Sequence, residues 1–372
     1  MLTSDGIKEK KEKVERRDQN KCICSTVDKN RYFCYECLSD EKKKLLKSVV
    51  RKVKSYNESA KDEDKIFIAF RAAGKIDFYS NMRAVFTIKI NSGNYKSILI
   101  LRNRRRTLEE KDSKRYPNYQ EINVATKNFK EAIERNTHFK TKRKDKNDFE
   151  ELSYEKRKLE DITDTEFDII LEKAVRYIKY LQLDKSELAI QNLYATKYNG
   201  KNELYIVDSE FVQYFEDDTV RKNNKDIKGR YDMIGINRGK LVFIELKVNK
   251  NACVDSSASI DKHIINMRDY LKRYNENELN IKSNISSMTK NTIDLRKKLG
   301  ILEENVRLIE NSFDSPEFWI LYDSPDETKE EIEEYLKSKV KNYGDDVRFL
   351  HGNVRSLTQI DTEYKLQEMR IK

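Results

Sequence analysis

Three residues of matched chemistry lie close together in the second half of the chain. Asp232 stands in the run Gly229-Arg230-Tyr231-Asp232-Met233-Ile234-Gly235-Ile236-Asn237, and Glu245 and Lys247 close the run Leu241-Val242-Phe243-Ile244-Glu245-Leu246-Lys247. Arg238-Gly239-Lys240 between them reads as a tight turn, so the two runs form a hairpin. A strand period of two puts Glu245 and Lys247 on one side, and the hairpin brings Asp232 alongside. Two carboxylates, with the backbone carbonyl of Leu246 as a further oxygen, suit a magnesium ion. A lysine beside them can orient a water or stabilise the hydroxide formed from it. Together these groups suit metal-assisted hydrolysis of a phosphodiester. The alternative is a surface hairpin with a solvated Glu-x-Lys edge. The apolar run Val242-Phe243-Ile244, which ends where the charges begin, favours a built site.

The pattern Asp232…Glu245-x-Lys247 resembles the core of the PD-(D/E)xK nuclease superfamily, with Tyr231 where a proline often precedes the aspartate. The resemblance covers about residues 160–350. It implies a central mixed sheet flanked by helices, Mg2+ or Mn2+ as cofactor, and Asp232, Glu245 and Lys247 as catalytic residues. It also implies a further glutamate on the helix before the first strand. Glu166 and Glu172 are the candidates, and Glu172, beside the apolar Leu171, is preferred. Asn266-x-x-x-Tyr270 looks like the Gln-x-x-x-Tyr signature of the RecB-like branch, with Asn for Gln. Residues four apart share a helix face, so both would point at nucleic acid. His263, about one turn earlier, could touch a phosphate or be an ordinary helix residue. Asp208 and Glu210, at a strand end, are further metal-ligand candidates.

A second group of reactive side chains lies near the N-terminus. Cys22-x-Cys24 and Cys34-x-x-Cys37 bring four thiols into one short segment, and Cys253 stands alone. Disulfides are rare in a reducing compartment, so structural Zn2+ and free thiols are the two readings. Basic residues are concentrated in the same half: residues 1–150 carry about +15 and the remainder about −5, of +10 overall. Arg102, Arg104, Arg105 and Arg106 are the densest cluster, either a phosphate-contact patch or a solvated loop neutralised by Glu109, Glu110 and Asp112.

The elements around these residues predict a mixed α/β protein in two domains. Residues 1–150 form a basic N-terminal α+β domain for substrate binding or regulation. It holds a helix from about Ser39, the cysteine segment 22–37 and an antiparallel meander over 65–101. Lys140 to Lys146 reads as a hinge. Residues 151–372 form the nuclease-like domain. Its expected elements are a helix over 164–183, strands over 189–198 and 203–207, the hairpin, a helix over 257–274 and a polar helical stretch over 276–311. A strand over 318–322, a helix over 326–340 and a strand over 347–351 complete it.

The chain has 38% charged residues, and no apolar run approaches the roughly 20 residues of a membrane span. The first 20 residues lack an apolar signal core, so a cytoplasmic location without membrane contact is expected. No Walker motif and no Ser-His-Asp arrangement stands out. The expected function is a metal-dependent nuclease, most readily a DNA endonuclease of restriction or antiviral defence. The expected partners are nucleic acid, DNA favoured, a second copy as homodimer, and an activating partner or ligand. The alternatives are a nucleic-acid-binding or regulatory protein on a nuclease-like scaffold, or an RNA-directed or ligand-activated nuclease.

Overall fold

The structure, a computed structural model, describes residues 38–71, 74–90, 98–101, 104–106, 186–213, 229–248, 260–324, 328–339, 346–354 and 364–369, with short pieces within 33–36 and 141–175. The four paired cysteines, Cys253, Arg102 and Glu166 lie outside the described residues, as does most of 107–140.

The first helix, α1 (Asp40–Ser59), begins where Ser39 accepts a hydrogen bond from the backbone N–H of Lys42, with Asp40 and Glu41 in the first turn. Its Leu46, Val49, Val50 and Val53 recur at helical spacing and are buried. They pack on an antiparallel sheet of β1 (Ile66–Arg71), β2 (Lys75–Ser80) and β3 (Arg83–Lys89), extended by β4 (Ile98–Leu101). Four two- or three-residue strands follow, β5 (Arg104–Arg106), β6 (Thr141–Lys142), β7 (Phe149–Glu151) and β8 (Ser153–Tyr154), pairing as β5–β7 and β6–β8. A fifth, β9 (Arg157–Lys158), adds to β4. The described residues between 165 and 175 are helical, and Phe167, Leu171 and Val175 join the same core.

The second sheet carries the hairpin. Its order is β10 (Leu204–Gln213), β11 (Gly229–Asn237), β12 (Lys240–Lys247), β13 (Glu317–Asp323), β14 (Val347–Gly352), β15 (Leu366–Glu368). The first three strands are antiparallel, β12 to β14 are parallel, and β15 is antiparallel to β14. The mixed sheet expected from sequence is therefore present. A helix α2 (Ser186–Ala195) precedes β10, the helices α3 (Ile260–Asn275) and α4 (Ile281–Lys298) connect β12 to β13, and α5 (Lys329–Lys339) connects β13 to β14.

Strand β12 is covered on both faces, which explains its unbroken apolar run. Leu241 and Phe243 meet α3, α4 and α5, while Val242, Ile244 and Leu246 meet α2 and residues of the first sheet, Phe67, Ala69 and Met82. The β11–β12 turn needs positive φ at two positions, and Arg238 (48°) and Gly239 (81°) supply it.

The two sheets share this packed layer. The outer edge of β1 is sealed by side chains: Asn57 brackets Ile66 with hydrogen bonds in both directions, Asn192 donates to the Lys65 carbonyl, and Arg296 to the Ile68 carbonyl. Arg71, at the end of β1, pairs with Asp208 and donates to the Ser209 carbonyl of β10.

Three sequence expectations change. Residues 189–198 are largely helix α2, not a strand; Ile190, Leu193 and Tyr194 repeat at three and four, and all are buried. Strand β10 runs to Gln213, well past 207. The stretch 276–311 is helical only to Lys298, apart from a 3-10 turn at Glu278–Asn280.

Candidate active site

The site forms where the β11–β12 ladder opens. Pairing is regular from Asn237↔Lys240 to Met233↔Ile244 and stops one residue short of Asp232 and Glu245. Beyond that point Asp232 turns its side chain inward, and its Oδ2 accepts the Leu246 backbone N–H at 2.8 Å. The Asp232 carbonyl is taken up by Gln191 Nε2 at 2.7 Å and Ser209 Oγ at 3.1 Å. The aspartate is thus held at its carboxylate by β12 and at its carbonyl by α2 and β10, which belong to neither strand of the hairpin.

On the facing strand, Glu245 and Lys247 are both buried, 5% and 4% exposed. The Lys247 ammonium donates to Glu245 Oε1 at 2.7 Å. From α3, His263 Nε2 stands 3.2 Å from the same oxygen, without the geometry of a hydrogen bond. From the opposite face, α2 contributes Glu187, one helical turn before Gln191. On β10, Glu210 lies between the registered pairs Ser209↔Met233 and Phe211↔Tyr231, directly across from Asp232. It has a left-handed φ of 53°, costly for a non-glycine residue, and it accepts from Gln191 Nε2 at 3.2 Å.

Electrostatics bind these groups into one unit. Burial, then the neighbouring Glu245 charge, pushes Asp232 up to about 8. Glu245 and Glu187 are also raised, first by burial; Asp232 and Glu210 add to the rise at Glu187. Burial alone would lower Lys247, but Glu245, Asp232 and Glu187 outweigh it and hold the ammonium charged. His263 is pushed down to about 3 by burial and by Lys247, Arg230 and Lys262, so its contact with Glu245 is that of a neutral imidazole. Carboxylates crowded in a low-dielectric pocket favour the proton until a cation joins them.

The donor set is oxygen-rich, as a hard divalent cation requires. Among the described residues no three His, Cys, Asp or Glu side chains close around one point. Magnesium accepts one or two carboxylates and completes its shell with water and substrate phosphate, so Asp232 and Glu245 fit it.

Of the residues picked out in the sequence, Asp232, Glu245, Lys247, His263 and Glu210 are brought together. Leu246 supplies its N–H to the aspartate. Asp208 is engaged instead by Arg71. Glu172 is exposed in the helical segment whose apolar residues belong to the first core, where burial, then Asp64, then Glu172 itself raise the Tyr56 phenol. Glu187 of α2 interacts electrostatically with Asp232, Glu210 and Lys247. Tyr270 is fully buried among Tyr231, Phe243 and Phe318, at ring-centroid distances of 5.3 to 6.2 Å, so it packs the core and offers nucleic acid no surface. Asn266 is half-buried on α3. The backbone of Arg104 to Arg106 lies in β5, registered opposite Glu151, Glu150 and Phe149.

Sequence reasoning passed over Glu187, Gln191 and Arg230. Glu187 and Gln191 stand four apart, a helix-face signal concealed by reading their surroundings as strand. Comparison of the chain with protein-family models, curated proteins and solved structures found no match.

Proposed function

We propose that this protein is a metal-dependent nuclease of the PD-(D/E)xK type that hydrolyses phosphodiester bonds, with DNA as the favoured substrate. The observation that carries the reading is the meeting of Asp232, Glu245, Lys247 and Glu187 where the β11–β12 ladder opens. Asp232 and Glu245, with the Leu246 carbonyl, would hold Mg2+ or Mn2+. Such an ion supplies charge neutralisation at a phosphoryl group and acidifies bound water.

The chain's own residues divide the remaining work. Lys247 stays protonated between Glu245 and Asp232, so it serves as a hydrogen-bond donor and fixed positive charge rather than a base. Gln191 and Ser209 fix the Asp232 backbone and so aim its carboxylate. Exposed Arg230, two residues from Asp232, adds positive charge at the mouth. The basic first 150 residues would supply sequence-independent affinity for a polyanion. A role in restriction or antiviral defence, a homodimeric state and structural Zn2+ on Cys22, Cys24, Cys34 and Cys37 belong to the same proposal. Among the described residues no helix is long and apolar enough to cross a membrane.

The test is cleavage of plasmid and of DNA and RNA oligonucleotides with magnesium, manganese or chelator, wild type beside Glu245→Ala. Metal-dependent cutting that the variant lacks supports the proposal and identifies the substrate. Intact binding without cutting by wild type under any condition would leave a nucleic-acid-binding scaffold.

A further inference from the structure

A cavity of about 360 Å3 lies apart from the carboxylate cluster, bounded by α1, β1, the end of α2, β10 and the segment that follows α4. No residue of the cluster lines it. Its walls are apolar at Phe67, Ile68, Tyr205 and Leu302, and they carry the cations Arg296, Lys54 and Lys65. The volume is that of a small-molecule site, and an apolar wall with a few convergent charges is the usual composition of one.

Arg296 is the unusual member. It is 1% exposed, yet it forms no ion pair among the described residues. One guanidinium nitrogen donates to the Ile68 carbonyl at 2.6 Å, while Nε has no acceptor. The group lies over Phe67, 4.7 Å from the ring centroid, and near Phe70 at 5.9 Å. A buried cation without a counter-anion is costly, and arginine in that position is normally matched by a carboxylate or phosphate. Burial, against the favourable charge of Asp208 and with the unfavourable one of Arg71, lowers its pKa to about 10, so it still carries its charge at neutral pH. Lys54 is exposed at the rim and donates to the Gly300 carbonyl, whereas Lys65 is already neutralised by Asp62 at 3.0 Å.

We propose that this cavity binds a small organic anion, whose carboxylate or phosphate faces Arg296 and Lys54 and whose apolar body lies against Phe67 and Tyr205. Glu58 and Glu303, exposed at the rim, exclude ligands that carry negative charge at both ends. The anion supplies at contact a counter-charge that Asp208, paired with Arg71, gives Arg296 only at a distance. The proposal does not depend on the nuclease reading, because binding here needs no metal and no cleavage.

The experiment is calorimetric titration of the full chain, without divalent metal, with phenyl phosphate and with benzoate, and with benzyl alcohol as the neutral control. Saturable binding of at least one anion, about tenfold or more tighter than the alcohol, is expected, and the stronger of the two identifies the head group. Arg296→Met should weaken that binding by tenfold or more and Lys54→Glu by a smaller factor. Arg296→Lys, which keeps the charge, should retain part of it and serves if the methionine variant does not fold. The proposal is overturned if neither anion saturates below about 10 mM, or if the anion binds the Arg296 and Lys54 variants as tightly as wild type.

Discussion

Asp232 is the residue on which the account turns, and its raised pKa has a measurable consequence. Its folded value of about 8 lies above the ordinary 3.8, so the metal-free folded state holds the proton more tightly than the unfolded chain does. The stabilising contribution of that proton is complete below about pH 4 and is lost as pH rises toward 8. Metal-free Tm should therefore fall more steeply between these limits in wild type than in Asp232→Asn. Near pH 8 the variant should be the more stable by about 1–3 kcal/mol, because an amide still accepts the Leu246 N–H without a buried charge. Adding magnesium should stabilise wild type and leave the variant nearly unmoved. Parallel pH profiles for the two proteins would refute the burial argument. Tyr270 gives the opposite case at the same scale. Tyr270→Ala should cost about 3–5 kcal/mol in stability through the lost core volume, whereas Tyr270→Phe should bind nucleic acid as wild type does.

At the scale of elements, what could be read from sequence follows from where periodicity is clean. The hairpin β11–β12 was legible because an apolar run, a glycine turn and terminal charges coincide at Val242–Lys247 and Arg238-Gly239. Helix α1 was legible from its serine cap and its valines. Helix α2 was not, because Ser186–Ala195 is short and its Leu188, Ile190, Leu193 and Tyr194 suit a strand as well as a helix. That one ambiguity also concealed Glu187, which interacts with Lys247 and Asp232. Tyr270 was misjudged for another reason: a signature names a residue but not its burial, and the aromatic layer of Tyr231, Phe243 and Phe318 claims it. The packing of α2 on the sheet offers its own check. A Cβ at Gly352 on β14 would stand 1.8 Å from the Tyr194 hydroxyl, which donates to Asp323 Oδ2 at 2.6 Å. Gly352→Ala should cost about 1–3 kcal/mol, and Tyr194→Phe in the same chain should recover part of it. A neutral glycine substitution in chemical denaturation would show that α2 does not approach β14 as described.

For the whole molecule, the two sheets behave as one body. Phe67, Ala69 and Met82 lie in the same apolar layer as Val242, Ile244 and Leu246, and the buried Arg71–Asp208 pair closes the junction. Removing one partner strands the other charge, so Arg71→Met should destabilise the chain by about 3–5 kcal/mol. Heat or denaturant should unfold both sheets in one cooperative transition, seen alike by probes in each; two separated transitions would contradict the shared core. The junction also reaches the site, since Arg71 donates to the Ser209 carbonyl and the Ser209 hydroxyl donates to the Asp232 carbonyl. The first sheet and the carboxylate cluster are thus joined through Arg71 and Ser209.

The most direct test of the nuclease proposal is a paired measurement on Lys247→Ala: single-turnover cleavage of DNA with saturating magnesium, and DNA affinity in the same buffer with calcium in place of magnesium. If Lys247 acts on the reacting centre and not on the bulk of the substrate, cleavage falls by at least about a hundredfold while affinity changes by less than about threefold. Cleavage at the wild-type rate in the variant would contradict it.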